Sequence, residues 1–185
     1  MKTAKKFGGT FDPKKDVWVG IDQSYTGFAV TILDADGGWT TWVYKSEGAG
    51  VERLNSIRSF LTSLFVYDLP NLKIIDVAME GYAFGSQMAN MLGELGGLVK
   101  LFCYDELNIK PLIVPPTSLK KYVTGKGNGV KKNQILLHVY KKWDVEFTDD
   151  NAADSFSLAK IASGLYDLTY EKEVYRKLND GKHRA

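Results

Sequence analysis

The sequence predicts a single α/β domain built on a mixed β-sheet, and three observations carry that reading. The chain has 185 residues, on the order of one domain. Hydrophobic residues make up 44% and charged residues 25%, the balance of a chain that buries a core. Its apolar periodicity alternates between strand-like and helix-like stretches in the order βββαβαβαα. That length excludes a two-domain kinase or a long repeat array, and no internal repeat is visible.

Taken in order, residues 1–15 are polar, basic and Gly-containing and read as a flexible arm. Val17 to Ile21 is a short apolar run ending at Asp22, as in a buried strand. Gly27 to Leu33 and Trp39 to Tyr44 are β-branched and aromatic, with the turn signal Asp34-Ala35-Asp36-Gly37-Gly38 between them. These three strands form an antiparallel meander. Val51 to Tyr67 places Leu54, Ile57, Leu61, Leu64 and Phe65 at helical spacing, and Pro70 ends it. Lys73 to Met79 is a strand ending at Glu80, Ser86 to Glu106 a long helix, and Pro111 to Val114 a strand before Pro115-Pro116. After a loop carrying Gly125, Gly127 and Gly129, a helix runs over Lys131 to Tyr140. Another runs from about Asp150 to Leu165, with Thr148, Asp149 and Asp150 as cap candidates. A five-stranded sheet over residues 16–168 is therefore expected, followed by a charged tail over 169–185.

Composition narrows the environment. The longest apolar runs are far short of the roughly 18 residues of a membrane span, so no membrane partner is expected. The single cysteine, Cys103, and two histidines, His138 and His183, offer no zinc spacing. A reducing, cytoplasmic setting fits, and any metal must be held by oxygen. The net charge is only +2, but from Pro115 to Trp143 there are seven lysines and no acid, which leaves the rest of the chain at −5. A solvated helical face accounts for such a block in the plain case. A phosphate-binding surface accounts for it as well, because Lys-rich segments gain affinity along nucleic acid by releasing counterions.

The acids are informative by position. Asp22 and Glu80 each end a strand, and Asp154 lies one turn into the last helix beside Asp150 and Asn151. Groups at strand ends converge on one edge of an α/β sheet, and a helix across that edge adds a third carboxylate. Such a cluster needs counter-charge, and hard oxygen donors select Mg²⁺ or Mn²⁺. Singly, each acid has a duller explanation as a turn or cap residue. Together with the basic block they point to a metal site facing phosphates.

These residues resemble a family, the RuvC-type Holliday-junction resolvases, from about Val17 to Leu165. Gly20-Ile21-Asp22-Gln23-Ser24-Tyr25-Thr26-Gly27 is similar to its first motif, Gly-Ile-Asp-Pro-Gly followed by Thr-Gly, and Ala78-Met79-Glu80 to its second acidic strand end. The stretch Gly85, Met88, Leu92, Gly93, Gly96, Gly97 and Leu98 resembles the family's dimer helix. Val123-Thr124-Gly125-Lys126-Gly127 with a downstream lysine resembles its basic loop, and Asn151-Ala152-Ala153-Asp154 its last motif. The resemblance implies an RNase H-like fold and a homodimer joined through helix 86–106. It implies Mg²⁺-dependent cleavage of branched DNA with two ions, Mn²⁺ substituting, leaving 5′-phosphate and 3′-hydroxyl ends.

Asp22, Glu80 and Asp154 are then metal ligands, and the fourth is Asp150, Asn151 or a water. Lys131 and Lys132 both fit the family's lysine. Lys120, Lys121, Lys126, Thr124, Tyr82 and Phe84 are DNA-contact candidates, and the family's wedging aromatic is displaced or missing, since Ala83 stands near its place. The sequence does not separate a cellular from a bacteriophage member. Two other readings stand beside this one: a junction-binding dimer without catalysis, and a phosphate-binding domain of the sugar-kinase and actin-like ATPase kind, whose first motif is similar but which closes two such domains on a nucleotide.

Overall fold

The computed structural model describes residues 4–82 and 89–185. Six strands form one sheet: β1 (Ala4–Gly8), β2 (Asp16–Asp22), β3 (Phe28–Asp34), β4 (Trp39–Tyr44), β5 (Lys73–Glu80) and β6 (Leu112–Val114). Their order is β1-β4-β3-β2-β5-β6, antiparallel from β1 to β2 and parallel from β2 to β6. The helices are α1 (Gly50–Thr62, continued by a π-helical turn over Ser63–Asp68), α2 (Ala89–Leu107), α3 (Pro116–Thr124), α4 (Lys132–Trp143), α5 (Asp150–Ala162) and α6 (Thr169–Leu178). Among the described residues no helix is long and apolar enough to cross a membrane.

Strand alternation sorts the side chains between two cores. Val17, Val19 and Ile21 of β2 and Val77 and Met79 of β5 pack with α1 and α2 on one face. The intervening positions, Gly20 and Asp22 of β2 and Ala78 and Glu80 of β5, fall on the face covered by α5. That face is finished by α3, α4 and α6 through Leu119, Val123, Val139, Val174 and Leu178. Because Gly20 and Ala78 are small, α5 lies directly on the sheet, and the acids two residues further along each strand stand at its N-terminal end. A chain of buried hydroxyls fixes the docking: Thr31 Oγ1 lies 2.6 Å from Thr41 Oγ1 and 2.9 Å from Ser155 Oγ, which donates to the Ala152 carbonyl at 3.0 Å.

The structure corrects the expected outline in three places. The sheet has six strands rather than five, because residues 4–8 of the expected arm form β1 on the edge of β4. Its Phe7 packs edge-on against Phe147; the strand is too short and too rich in lysine to show alternation. The stretch after Pro115, for which no element was expected, holds α3, opened by Pro116 and closed by Gly125 in the left-handed region (φ 78°). The expected tail is also folded. α6 buries Glu171, Val174 and Leu178, and beyond it the chain lies beside β6. There the Ile113 N–H donates to the His183 carbonyl and Arg184 grips Asp76 at 2.6 and 2.7 Å.

α2 is the long helix expected over 86–106, described from Ala89; Ser86, Gln87 and Met88 lie outside the described residues. Its glycines divide by task. Gly96 faces Gln23 and Gly93 faces the Tyr82 hydroxyl, whereas Gly97 meets nothing. Two of the three glycines expected to admit a second subunit therefore admit side chains of their own chain. Cys103 is fully buried on the same helix, and burial pushes its thiol up to about 12.

Candidate active site

β2, β5 and α5 bring Asp22, Glu80, Asp154, Asp150 and Asn151 to one cavity of about 450 Å³. α5 is aimed there by Asp149, whose carboxylate accepts the N–H groups of Asn151 and Ala152 at 3.0 and 3.3 Å as its N-cap. The next residues are thereby freed to face the cavity. Asn151 packs its amide against Gly27, at the start of the first motif's return strand. Lys120 of α3 and Lys132 of α4 line the opposite wall, with Tyr82 at the rim beyond β5.

The electrostatics are those of crowded acids. Asp22 is 4% exposed. Burial, then the charges of Glu80 and Asp154, raise its carboxyl well above the usual range. Burial raises Glu80 too, opposed by a hydrogen bond shared with Asp22 and by the lysines 120 and 132. Asp154 is pushed up to about 7, first by burial and then by Glu80 and Asp150. Lys132 ion-pairs with Asp150 and is held charged by it. All of these donors are hard oxygens in one partly enclosed cavity, and a divalent cation would offset the repulsion that raises them. That donor set fits Mg²⁺ or Mn²⁺. As placed, no three acidic, histidine or cysteine side chains among the described residues converge on one point.

The remaining expected residues separate. Lys131 is the N-cap of α4, exposed and outside the cavity lining, its N–H bonded to Gln134 at 2.8 Å. Lys121 pairs with Glu173, also outside the cavity. Thr124 closes α3, its hydroxyl donating to the Lys120 carbonyl at 2.9 Å, and Lys126 follows it in the Gly loop. Lys142, another lysine of the basic block, is turned inward: its side chain is 14% exposed and paired with buried Glu171. Phe84 lies outside the described residues, so the wedging aromatic is not located. Gln23, Thr26 and Leu92 line the cavity and were missed. Gln23, a polar residue directly after a strand-ending acid, and Thr26, in the Thr-Gly of the first motif, carried a sequence signal.

No protein-family model and no curated relative matches the sequence. Among solved structures, Thermus thermophilus RuvC superposes with a TM-score of 0.62 at 18% identity, over 91% of this chain and 98% of that one. The chain has the RuvC fold. T. thermophilus RuvC in complex with its Holliday junction substrate is similar as well, with a TM-score of 0.61 at 17% identity, covering 88% of this chain and 96% of that one. The architecture is the RNase H-like one expected above, with β1 of this chain adding a sixth strand, on the β4 side, to the five expected.

Proposed function

We propose that this chain is a divalent-metal-dependent endonuclease that nicks branched DNA, Holliday junctions foremost. The observation that carries the reading is the placing of three carboxylates, buried Asp22 and half-buried Glu80 and Asp154, against Lys120 and Lys132 in one cavity of a RuvC fold. Asp22, Glu80 and Asp154 would hold the cation pair, with Asp150 or Asn151 completing it. When bound, Mg²⁺ or Mn²⁺ lowers the pKa of a coordinated water and offsets charge on the leaving oxygen. Lys132 is set to meet the scissile phosphate, where its charge counts most as negative charge builds in the transition state. Binding DNA requires it to leave Asp150. Water oxygen bonds to phosphorus while the bond to the 3′ oxygen breaks, leaving a 5′-phosphate and a 3′-hydroxyl.

Two such sites are needed to cut opposite strands of a four-way junction, and α2 supports a homodimer. Met91, Leu101 and Tyr104 are exposed along it, beside a groove against α1 that Gly97 and Leu98 help to line. The test is cleavage of end-labelled four-way junctions and linear duplexes with Mg²⁺ or Mn²⁺, mapped to the nucleotide. Paired nicks near the branch, with the duplex intact, are expected. Tight junction binding with no cleavage in either ion would instead establish the non-catalytic reading.

A further inference from the structure

Gln23 is buried at the floor of the cavity, 4% exposed, between the two strand-ending acids and α2. Its Nε2 donates to the Glu80 carbonyl oxygen at 2.5 Å. Its Oε1 is buried without a hydrogen-bond partner. A buried acceptor left unpaired is a cost that an apolar side chain of the same length would not carry, and in folded proteins such groups call for a reason.

Strand register supplies the reason. The paired residues of β2 and β5 run out at Ile21 and Met79, one position short of Asp22 and Glu80. On its other side Glu80 is still inside the sheet, paired with Val114 of β6 and followed by the Gly81 N–H bond to the Val114 carbonyl at 2.8 Å. Glu80 is thus anchored toward β6, and beyond the end of the β2 ladder the Gln23 amide ties its backbone toward Asp22, beside the hydrogen bond that the two carboxyl groups share. Gly96 of α2 makes room for this link. A Cβ there would fall 2.9 Å from Gln23 Oε1, so any larger residue pushes on the amide.

We propose that Gln23 is a positioning residue, seated on Gly96, that sets where the Glu80 carboxylate stands relative to Asp22 and so tunes divalent-cation affinity. The proposal rests on the metal-dependent reading given above. A residue that merely fills space at this point would be replaced by Met without functional loss. A positioning residue would not, since removing an outer partner of a metal-ligating group costs roughly 10- to 100-fold in metal affinity or activity.

The experiment compares wild type, Gln23→Met, Gly96→Ala and the double variant. Mn²⁺ affinity is measured by calorimetry on DNA-free protein, alongside melting temperature and single-turnover cleavage of a four-way junction. Gln23→Met is expected to melt close to wild type, because it removes one orphaned acceptor, Gln23 Oε1, while freeing another, the Glu80 carbonyl oxygen, yet to bind Mn²⁺ about 10-fold more weakly and cleave more slowly. Gly96→Ala should shift affinity in the same direction, and the double variant should be no worse than Gln23→Met alone, as expected when both act through one contact. Wild-type Mn²⁺ affinity and rate in Gln23→Met would overturn the inference while leaving the metal-dependent reading intact. So would an unchanged affinity in Gly96→Ala, should Gln23→Met fail to fold. A wild-type protein that neither binds Mn²⁺ nor cleaves would overturn the metal-dependent reading and this inference with it.

Discussion

The Cβ that Gly20 lacks would lie 2.0 Å from the carbonyl oxygen of Ser155, so the middle of β2 touches the backbone of α5. The same missing atom would be 2.3 Å from the Ala159 amide nitrogen. Backbone on both sides leaves no flexible group to yield. Gly20→Ala must lift α5 from the sheet, at a cost of about 3 kcal/mol or more. It also draws Asp154 away from Asp22. Urea unfolding should show a lower midpoint and cleavage should be lost; a variant with the wild-type midpoint would show that α5 sits further out.

Asp22→Asn, Glu80→Gln and Asp154→Asn are each expected to abolish cleavage while junction affinity is kept or rises. Each removes a metal ligand and, at the same time, a charge that repels phosphate. Gel-shift titration in Ca²⁺ beside cleavage in Mg²⁺ separates the two effects. Any of the three that turns over at the wild-type rate is not a ligand.

Metal-free stability should fall as pH rises through the acidic range. Burial, then the charges of Glu80 and Asp150, push the Asp154 carboxyl from its ordinary 3.8 up to about 7 in the fold. Between those values the folded protein keeps a proton that the unfolded chain has released. Its stabilising contribution is therefore complete below about pH 4 and lost by about pH 7. Asp22, also raised, acts in the same direction. Melting curves in EDTA should show this slope, reduced in Asp154→Asn, and Mg²⁺ should raise the melting temperature more at pH 8 than at pH 5.

The lysines of the basic block should fall into separate groups. Lys132→Ala should lower the single-turnover rate at saturating junction by roughly 100-fold. Lys131→Ala, at an exposed residue outside the cavity lining, should change affinity and its salt dependence but not that rate. Lys142→Met should do neither and instead destabilise the protein by about 3–5 kcal/mol, because it strands Glu171 as an unpaired buried charge. Equal rate losses in Lys131→Ala and Lys132→Ala would contradict the placing of the α4 N-terminus.

Leu101→Glu is expected to yield a monomer. Leu101 is 63% exposed on α2, so the substitution costs the fold itself little. Sedimentation at micromolar concentration reads the outcome directly, and a Leu101→Glu dimer would move the interface elsewhere.

What the sequence disclosed and what it hid follow from the range of the interactions involved. Asp22, Glu80 and Asp154 were legible because each stands at the end of a periodic element, and strand parity places the first two on one face. The N-cap role of Asp149 was equally local. The division between Lys131 and Lys132 was not, since one residue of helix phase decides it, and that phase is set by how Ile135 and Val139 pack under α4. Lys142 reads as a surface charge until α6, later in the chain, supplies Glu171. The tasks of Gly93 and Gly96 were hidden for the same reason: their neighbours are Tyr82 and Gln23, which follow the ends of β5 and β2.

Burial of Cys103 also makes the molecule a convenient substrate for site-directed labelling. Its thiol is inaccessible and protonated at any working pH, so maleimides and mild oxidants should pass it by. A cysteine introduced at an exposed α2 position such as Tyr104 would then be the single reactive thiol of each chain, with no need to strip the native one first. Spin labels or fluorophores placed there can report the distance between two copies, and copper-catalysed crosslinking can trap them, in a background whose core has not been disturbed.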